Sequence, residues 1–412
     1  MSDIRKYMKQ RDSKLSKDNE EDDLEKKLKS HRRGKVSKFF ILILIIAIGV
    51  GGYIIHLNNK VYTTYELKER VEISDAYNAN FYEFGEYMLR YSEDGIAYLN
   101  GGETYWNQAF EMREPIIDIS NSYVAVAQQK SNDIYICNTK GFQGKVETEF
   151  PIVALSVSDK GIVAAITGEK SDVSYIEVIS EDGTKIAKGQ SVLSSQGCPV
   201  DLSISSDGTK LAVSYLCVGS GVIESKVVFY NYSEIGKNEV DRFVGGFNFD
   251  KTMIAKTEFI SNDIVVAYGD DRVIIYSMKQ KPSVIKEIII EKEIKSVFYD
   301  EEYVGLIVAS GQADNPYTML VYDIEGTKVC DMDFNFSYKN IKIANKTIIL
   351  YNDVTLKVYT VKGKTKYESN FDEGIVDVIM LEDRYNYLIV TPMSIDKIKL
   401  NNAKETKLIW TT

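Results

Sequence analysis

Val200–Tyr215 reads VDLSISSDGTKLAVSY. Asp201–Ser205 alternates polar and apolar residues, Asp207-Gly208 signals a tight hairpin turn, and Leu211–Tyr215 is a short run of small and β-branched residues. A run this short, apolar on both faces, reads as a strand buried between two sheets. The chain repeats it at Tyr87–Tyr91 (YMLRY), Tyr123–Ala127 (YVAVA), Gly161–Ile166 (GIVAAI), Ile264–Tyr268 (IVVAY), Val304–Ala309 (VGLIVA), Thr347–Tyr351 (TIILY) and Tyr387–Thr391 (YLIVT).

A further strand follows most copies and ends near an aromatic: Tyr98, Tyr135, Tyr230, Tyr276, Tyr322 and Tyr359. An alternating stretch precedes many of them, as at Ile116–Ser120, Ala154–Ser158, Ser296–Tyr299, Ile341–Ala344 and Val376–Leu381. The period is roughly 40 residues with almost no helical pattern, and no Pro/Gly/Ser-rich linker interrupts residues 80–410. These features predict an all-β chain forming a seven- to eight-bladed β-propeller. Eight blades are preferred, starting near residues 80, 115, 152, 199, 250, 294, 339 and 374. Tyr65–Ile73 reads as a strand that closes the ring in the last blade, in place of the poorly patterned Glu405–Trp410.

Val200–Tyr215 resembles the strand-turn-strand of WD-repeat and TolB-like propellers. The layout of the whole chain resembles a bacterial family of uncharacterised single-pass membrane proteins with a WD- or PQQ-like extracytoplasmic propeller. That resemblance implies anchoring and binding, with no activity assigned. The Trp-Asp dipeptide of WD repeats is absent, and Tyr322-Asp323 is its nearest copy. Only Trp106 and Trp410 exist, so the tryptophan-rich signature of quinone-dependent propellers is missing and no cofactor is expected.

Phe39–Ile55 (FFILILIIAIGVGGYII) is free of charge. With His56 and Leu57, at about 1.5 Å per residue, it covers most of a hydrocarbon core about 30 Å thick. It is longer than a secretory apolar region and no small-residue cleavage pattern follows, so an uncleaved transmembrane helix is expected over 39–57. Lys26, Lys27, Lys29, Arg32, Arg33, Lys35 and Lys38 crowd its N-terminal flank, which predicts a cytoplasmic N-terminus and an extracytoplasmic main domain in the cell membrane. The expected organisation is a charged, disordered cytoplasmic tail over 1–38, the helix over 39–57, a linker and closing strand over 58–79, and the propeller over 80–412. Gly49, Gly51 and Gly52 give weak grounds for a homodimer through the helix.

Fifty Lys and Arg against 60 Asp and Glu give a net charge of −10. The basic excess is confined to residues 1–38, so the acidic remainder argues against nucleic acid. The two histidines are His31 and His56, so residues 57–412 have no imidazole for nucleophile activation, general-base work or zinc. No calcium loop and no P-loop is present, and no metal site is expected. Centring the Val200–Tyr215 hairpin on Asp207-Gly208 places Cys198 opposite Cys217, a candidate disulfide in an oxidising milieu. Cys137 and Cys330 are expected to stay unpaired.

Carboxylates are the remaining acid/base candidates: Asp270-Asp271 after a buried strand, Asp314, Glu301-Glu302, and Asp331 with Asp333. Loop length and exposed aromatics suggest a binding face containing Tyr105, Trp106, Asp270, Asp271 and Tyr317. The expected function is a non-catalytic binding or scaffold module in the bacterial cell envelope, engaging a protein or cell-wall polymer outside the membrane and the bilayer through its helix. Two alternatives stand beside it. One is a carboxylate-based carbohydrate-active enzyme, and the other is a single-pass receptor reporting through residues 1–38.

Overall fold

The computed structural model describes Met8 and residues 42–46, 48–52, 60–73, 76–168, 172–219, 222–381 and 385–402. The chain divides into two compact units, residues 1–60 and 61–412. In the first, residues 42–46 and 48–52 are helical. The membrane span expected over 39–57 falls partly outside the described residues, as does almost all of the 1–38 tail. Among the described residues no helix is long and apolar enough to cross a membrane.

The second unit is an eight-bladed β-propeller. Its described residues form eight antiparallel sheets of four strands each. Blades 1 to 7 occupy residues 80–109, 115–147, 152–192, 198–250, 254–289, 294–334 and 340–370, each with its strands in chain order from the centre outward. Blade 8 takes its three inner strands from residues 377–401 and its outermost from Thr64–Glu72, which pairs antiparallel with Ser394–Asn401. The ring is thus closed by hydrogen bonds between strands from opposite ends of the chain.

The short apolar runs are the second strands of the blades. Val163–Thr167, Ile264–Gly269 and Thr347–Tyr351 are buried along their whole length because a neighbouring sheet covers each face. Eight apolar clusters fill the junctions, and each draws on facing blades. Val124, Val126 and Cys137 of blade 2 meet Phe84, Leu89 and Tyr98 of blade 1, and Ile379, Leu388 and Val390 of blade 8 meet Phe81, Met88 and Leu99 of blade 1. Packing is tight enough that Gly305 is required. A Cβ there would lie 2.1 Å from the Phe298 ring.

Local turn chemistry holds the hairpins. Gly208 sits at φ +74°, where a side chain would be strained. Beside it, Asp207 accepts from the Thr209 amide at 2.9 Å and from Ser205 and Thr209 hydroxyls at 2.7 Å. Burial opposes ionisation of Asp207, but these bonds and one from Asn262 outweigh it and hold the carboxyl at about 2.

The pairing of Cys198 with Leu216 corrects the register read from the sequence. Ile204 faces Leu211 and Asp201 faces Ser214 as a centred turn requires, but a bulge at Val200 then shifts the strands by one residue. Opposed residues share a face and successive residues alternate, so the shift sets Cys198 and Cys217 on opposite faces of the sheet. The Cys217 thiol donates to the Gln196 carbonyl at 3.5 Å, and all four cysteines are free. Cys137 and Cys330 are buried, and burial pushes both thiols up, to about 12 and about 11.

Candidate functional site at the channel mouth

The first strand of every blade borders the central channel with a free edge, so its outward amides need partners other than a fifth strand. Polar side chains of the preceding blades supply them. Asp118 Oδ2 of blade 2 accepts from the Val157 amide of blade 3 at 2.6 Å, and Ser156 Oγ accepts from the Ile204 amide of blade 4 at 3.3 Å. Asp201 Oδ2 and Ser203 Oγ of blade 4 accept from Thr257 and Phe259 amides of blade 5, at 2.7 and 2.9 Å. Between blades 7 and 8, Lys342 Nζ donates to Asp377 Oδ1 at 2.5 Å and to the Val378 carbonyl at 3.0 Å. The polar positions of the alternating inner stretches therefore stitch blade to blade around the channel.

Where these inner strands end, blades 1 to 6 enclose a cavity of about 670 Å³. Its wall carries Glu83, Asp118, Asp159, Glu258, Asp300 and Glu301, with Ser120, Asn121, Ser156, Ser206, Ser261 and Asn262 between them. No Lys, Arg or His is in that wall. Two lysines reach the wall from outside it: Lys256 Nζ lies 3.2 Å from Glu258 Oε2 and donates to Tyr299 OH at 3.1 Å, and Lys210 Nζ donates to the Asn262 carbonyl at 2.9 Å.

Burial raises Asp118 to about 6; the Glu258 charge adds to the rise, and the Val157 amide opposes it. Burial likewise raises Asp201 to about 6, with the Thr257 amide opposing and Glu258 adding to it. Tyr299 is pushed up by burial and by Glu258, so it stays a neutral phenol. Burial also raises Asp300, which accepts from the Glu302 and Tyr303 amides at 2.9 and 2.8 Å. A wall of this composition attracts cationic groups and presents both donors and acceptors to them. Among the described residues, no group of three or more His, Cys, Asp or Glu could hold a metal ion.

The residues singled out from the sequence do not converge on one patch. Asp270 and Asp271 occupy the turn after Ile264–Gly269, at the opposite end of the blade from the cavity. Asp270 accepts from the Met253 amide at 3.0 Å, and Asp271 is paired with Arg272 at 2.7 Å. Tyr317 begins Tyr317–Asp323 at that same end, stacked on Phe334 with ring centroids 5.4 Å apart. Tyr105 and Trp106 lie in the outermost strand of blade 1, Glu103–Ala109. There Tyr105 stacks on Tyr87 at 5.1 Å, and Trp106 Nε1 donates to the Thr139 carbonyl of blade 2 at 3.2 Å. The long segment after Tyr215 is an extended hairpin, paired out to Gly219 and Val222, and it also points away from the cavity. Of the carboxylate clusters, Glu301 reaches the cavity wall, while Asp331 pairs with Lys328 and Asp333 accepts from Thr318.

Comparison with known proteins gives a family. A family described as "Family of unknown function (DUF5711)" matches residues 58–400. No curated protein matches the chain. Among solved structures, BamB from Moraxella catarrhalis is similar at 10% identity and TM-score 0.49, over 82% of this chain and all of that one. Hsv2 from Kluyveromyces lactis is similar at 11% identity and TM-score 0.46, over 71% and 98%. Hydrazine synthase from Kuenenia stuttgartiensis is similar at 11% identity and TM-score 0.43, over 72% and 99%.

Proposed function

This chain belongs to the DUF5711 family of unknown function, and we propose that it is a membrane-anchored, extracytoplasmic propeller that binds its partner without transforming it, a scaffold or recognition module of the bacterial cell envelope. The observation that carries this reading is the channel mouth. Six carboxylates line one concavity that holds no basic residue, while Asp118 in its wall and Asp201 nearby are committed to amides of the next blade. Such a surface suits a protein segment or cell-wall polymer that presents positive charges, and its rigid ring fixes several contacts at once. The anchor rests on the uncharged run from Phe39 to Ile55 and the lysine- and arginine-rich flank before it.

One observation favours a second reading. Asp118, raised to about 6, shares a cavity with Glu258, and a carboxyl that holds its proton through mildly acidic pH beside another carboxylate is the pairing a glycosidase uses. Asp118→Asn separates the two. It abolishes turnover of cell-wall glycan if Asp118 is the acid, and it spares partner binding if the mouth only binds.

Cross-linking in intact cells, comparing the full chain with a form lacking residues 1–30, tests the proposal. Envelope partners captured equally by both forms support it. Capture that depends on the tail supports the receptor instead, and capture of cytoplasmic proteins by the propeller refutes the extracytoplasmic placement.

A further inference from the structure

The seam of the ring lies inside blade 8, where Ser394–Asn401 meets Thr64–Glu72. Beside it, between blades 8 and 1, runs a crevice of about 500 Å³. Its floor is apolar, with Met88 and Leu99 of blade 1 packed near Leu388 and Ile395 of blade 8. Its lining carries two exposed glutamates, Glu69 of the closing strand and Glu86 of the first hairpin, and one lysine, Lys397, opposite Glu69 in the ladder.

The chain leaves the last strand at the lip of this crevice. Ile395 and Lys397 line it, so by strand alternation Lys399 and Asn401 present the same side, and both are exposed. Lys399 also pairs with Asn386, which is itself in the crevice wall. Residues 403–412 (AKETKLIWTT) lie outside the described residues. The fourth place in blade 8 is filled by Thr64–Glu72. The 403–412 segment carries three bulky apolar residues, Leu408, Ile409 and Trp410, behind Lys404 and Lys407. Ten residues reach up to about 33 Å, far more than the return to Asn386 requires.

We propose that Leu408–Trp410 docks in the crevice between blades 8 and 1, with Lys404 and Lys407 set against Glu69 and Glu86. The apolar floor takes the hydrophobic triplet, and Glu86 and Glu69, the latter shared with Lys397, receive the two lysines. Docking there clasps the end of the last strand onto blade 1, beside the seam that ladder hydrogen bonds and the Arg70–Asp396 pair already hold.

Photo-cross-linking from p-benzoyl-phenylalanine in place of Trp410, in the full chain reconstituted in a lipid bilayer, tests this. Cross-links mapping to residues 86–101 and 386–397 are expected, with a several-fold lower yield when Glu69→Lys and Glu86→Lys are combined. Both glutamates are exposed, but Glu69 stands opposite Lys397 in the ladder, so a melting curve checks that the reversal leaves the ring folded before the yields are compared. Cross-links to lipid, to a second copy or elsewhere on the ring overturn the proposal, and a yield indifferent to the reversal overturns the lysine pairing. Because the probe is bulkier than indole, a second readout uses Trp106→Phe, which leaves Trp410 as the sole tryptophan. Protected, blue-shifted emission released by the same reversal supports docking, and fully quenchable emission overturns it.

Discussion

Asp118 and Asp201 are buried carboxyls whose chemistry the fold alters strongly. Each is held near 6 against roughly 3.9 in an unfolded chain. Below about pH 4 the group is protonated in both states and neutral to stability. Between about pH 4 and 6 the unfolded chain ionises while the folded group keeps its proton, so stability is lost across that window and stays lost above it, where the folded protein carries a charge that burial disfavours. Asp118→Asn keeps an oxygen for the Val157 amide and removes the charge. Urea unfolding should show it more stable than the parent by on the order of 2 kcal/mol at pH 8 and equal to it at pH 4. Gly305 makes the opposite point, that a missing side chain is a requirement. Gly305→Ala drives a methyl into the Phe298 ring and should cost about 1–3 kcal/mol in the same assay, with the pH profile unchanged.

At the scale of elements, the closing strand bears the most weight. Arg70 reaches Asp396 through two hydrogen bonds of 2.8 and 2.6 Å and Glu373 through a third of 2.8 Å. It joins the closing strand to the strand beside it and to the loop before blade 8. Because Asp396 is nearly covered while Arg70 is partly exposed, Arg70→Ala leaves a shielded carboxylate without its partner and should destabilise by about 1–2 kcal/mol. Limited proteolysis should then cut first at the seam, within 61–73 or after 401. The repeating elements themselves are legible in the sequence. A strand covered on both faces must be apolar at every position, and that continuous run survives in Val163–Thr167 and Ile264–Gly269 without any neighbour being known. Register is less legible. The Asp207-Gly208 turn correctly pairs Ile204 with Leu211, and Pro199, which cannot donate to a ladder, is the local sign of the bulge that carries Cys198 away from Cys217.

At the scale of the whole molecule, ring closure creates the candidate site. Asp118, Asp159, Glu258 and Glu301 come from four different blades, and each looks locally like an ordinary polar position on an alternating strand or turn. Their meeting depends on blade number and curvature, which no single repeat encodes. Loop length and aromatic exposure instead point to Asp270, Asp271 and Tyr317, which lie at the other end of the blades and are engaged in local contacts. The inner stretches Ile116–Ser120 and Asp201–Ser205 do contain the signal, since a channel-bordering strand must place hydrogen-bonding side chains against the next blade.

The most direct measurement reverses charge at the cavity rim with Glu83→Lys and Glu301→Lys, both exposed, and repeats the cross-linking in intact cells. Binding through the acidic mouth requires that the captured envelope partner be lost while expression and melting temperature stay at the parent's values. Undiminished capture of the same partner by the reversed protein would contradict recognition at the channel mouth.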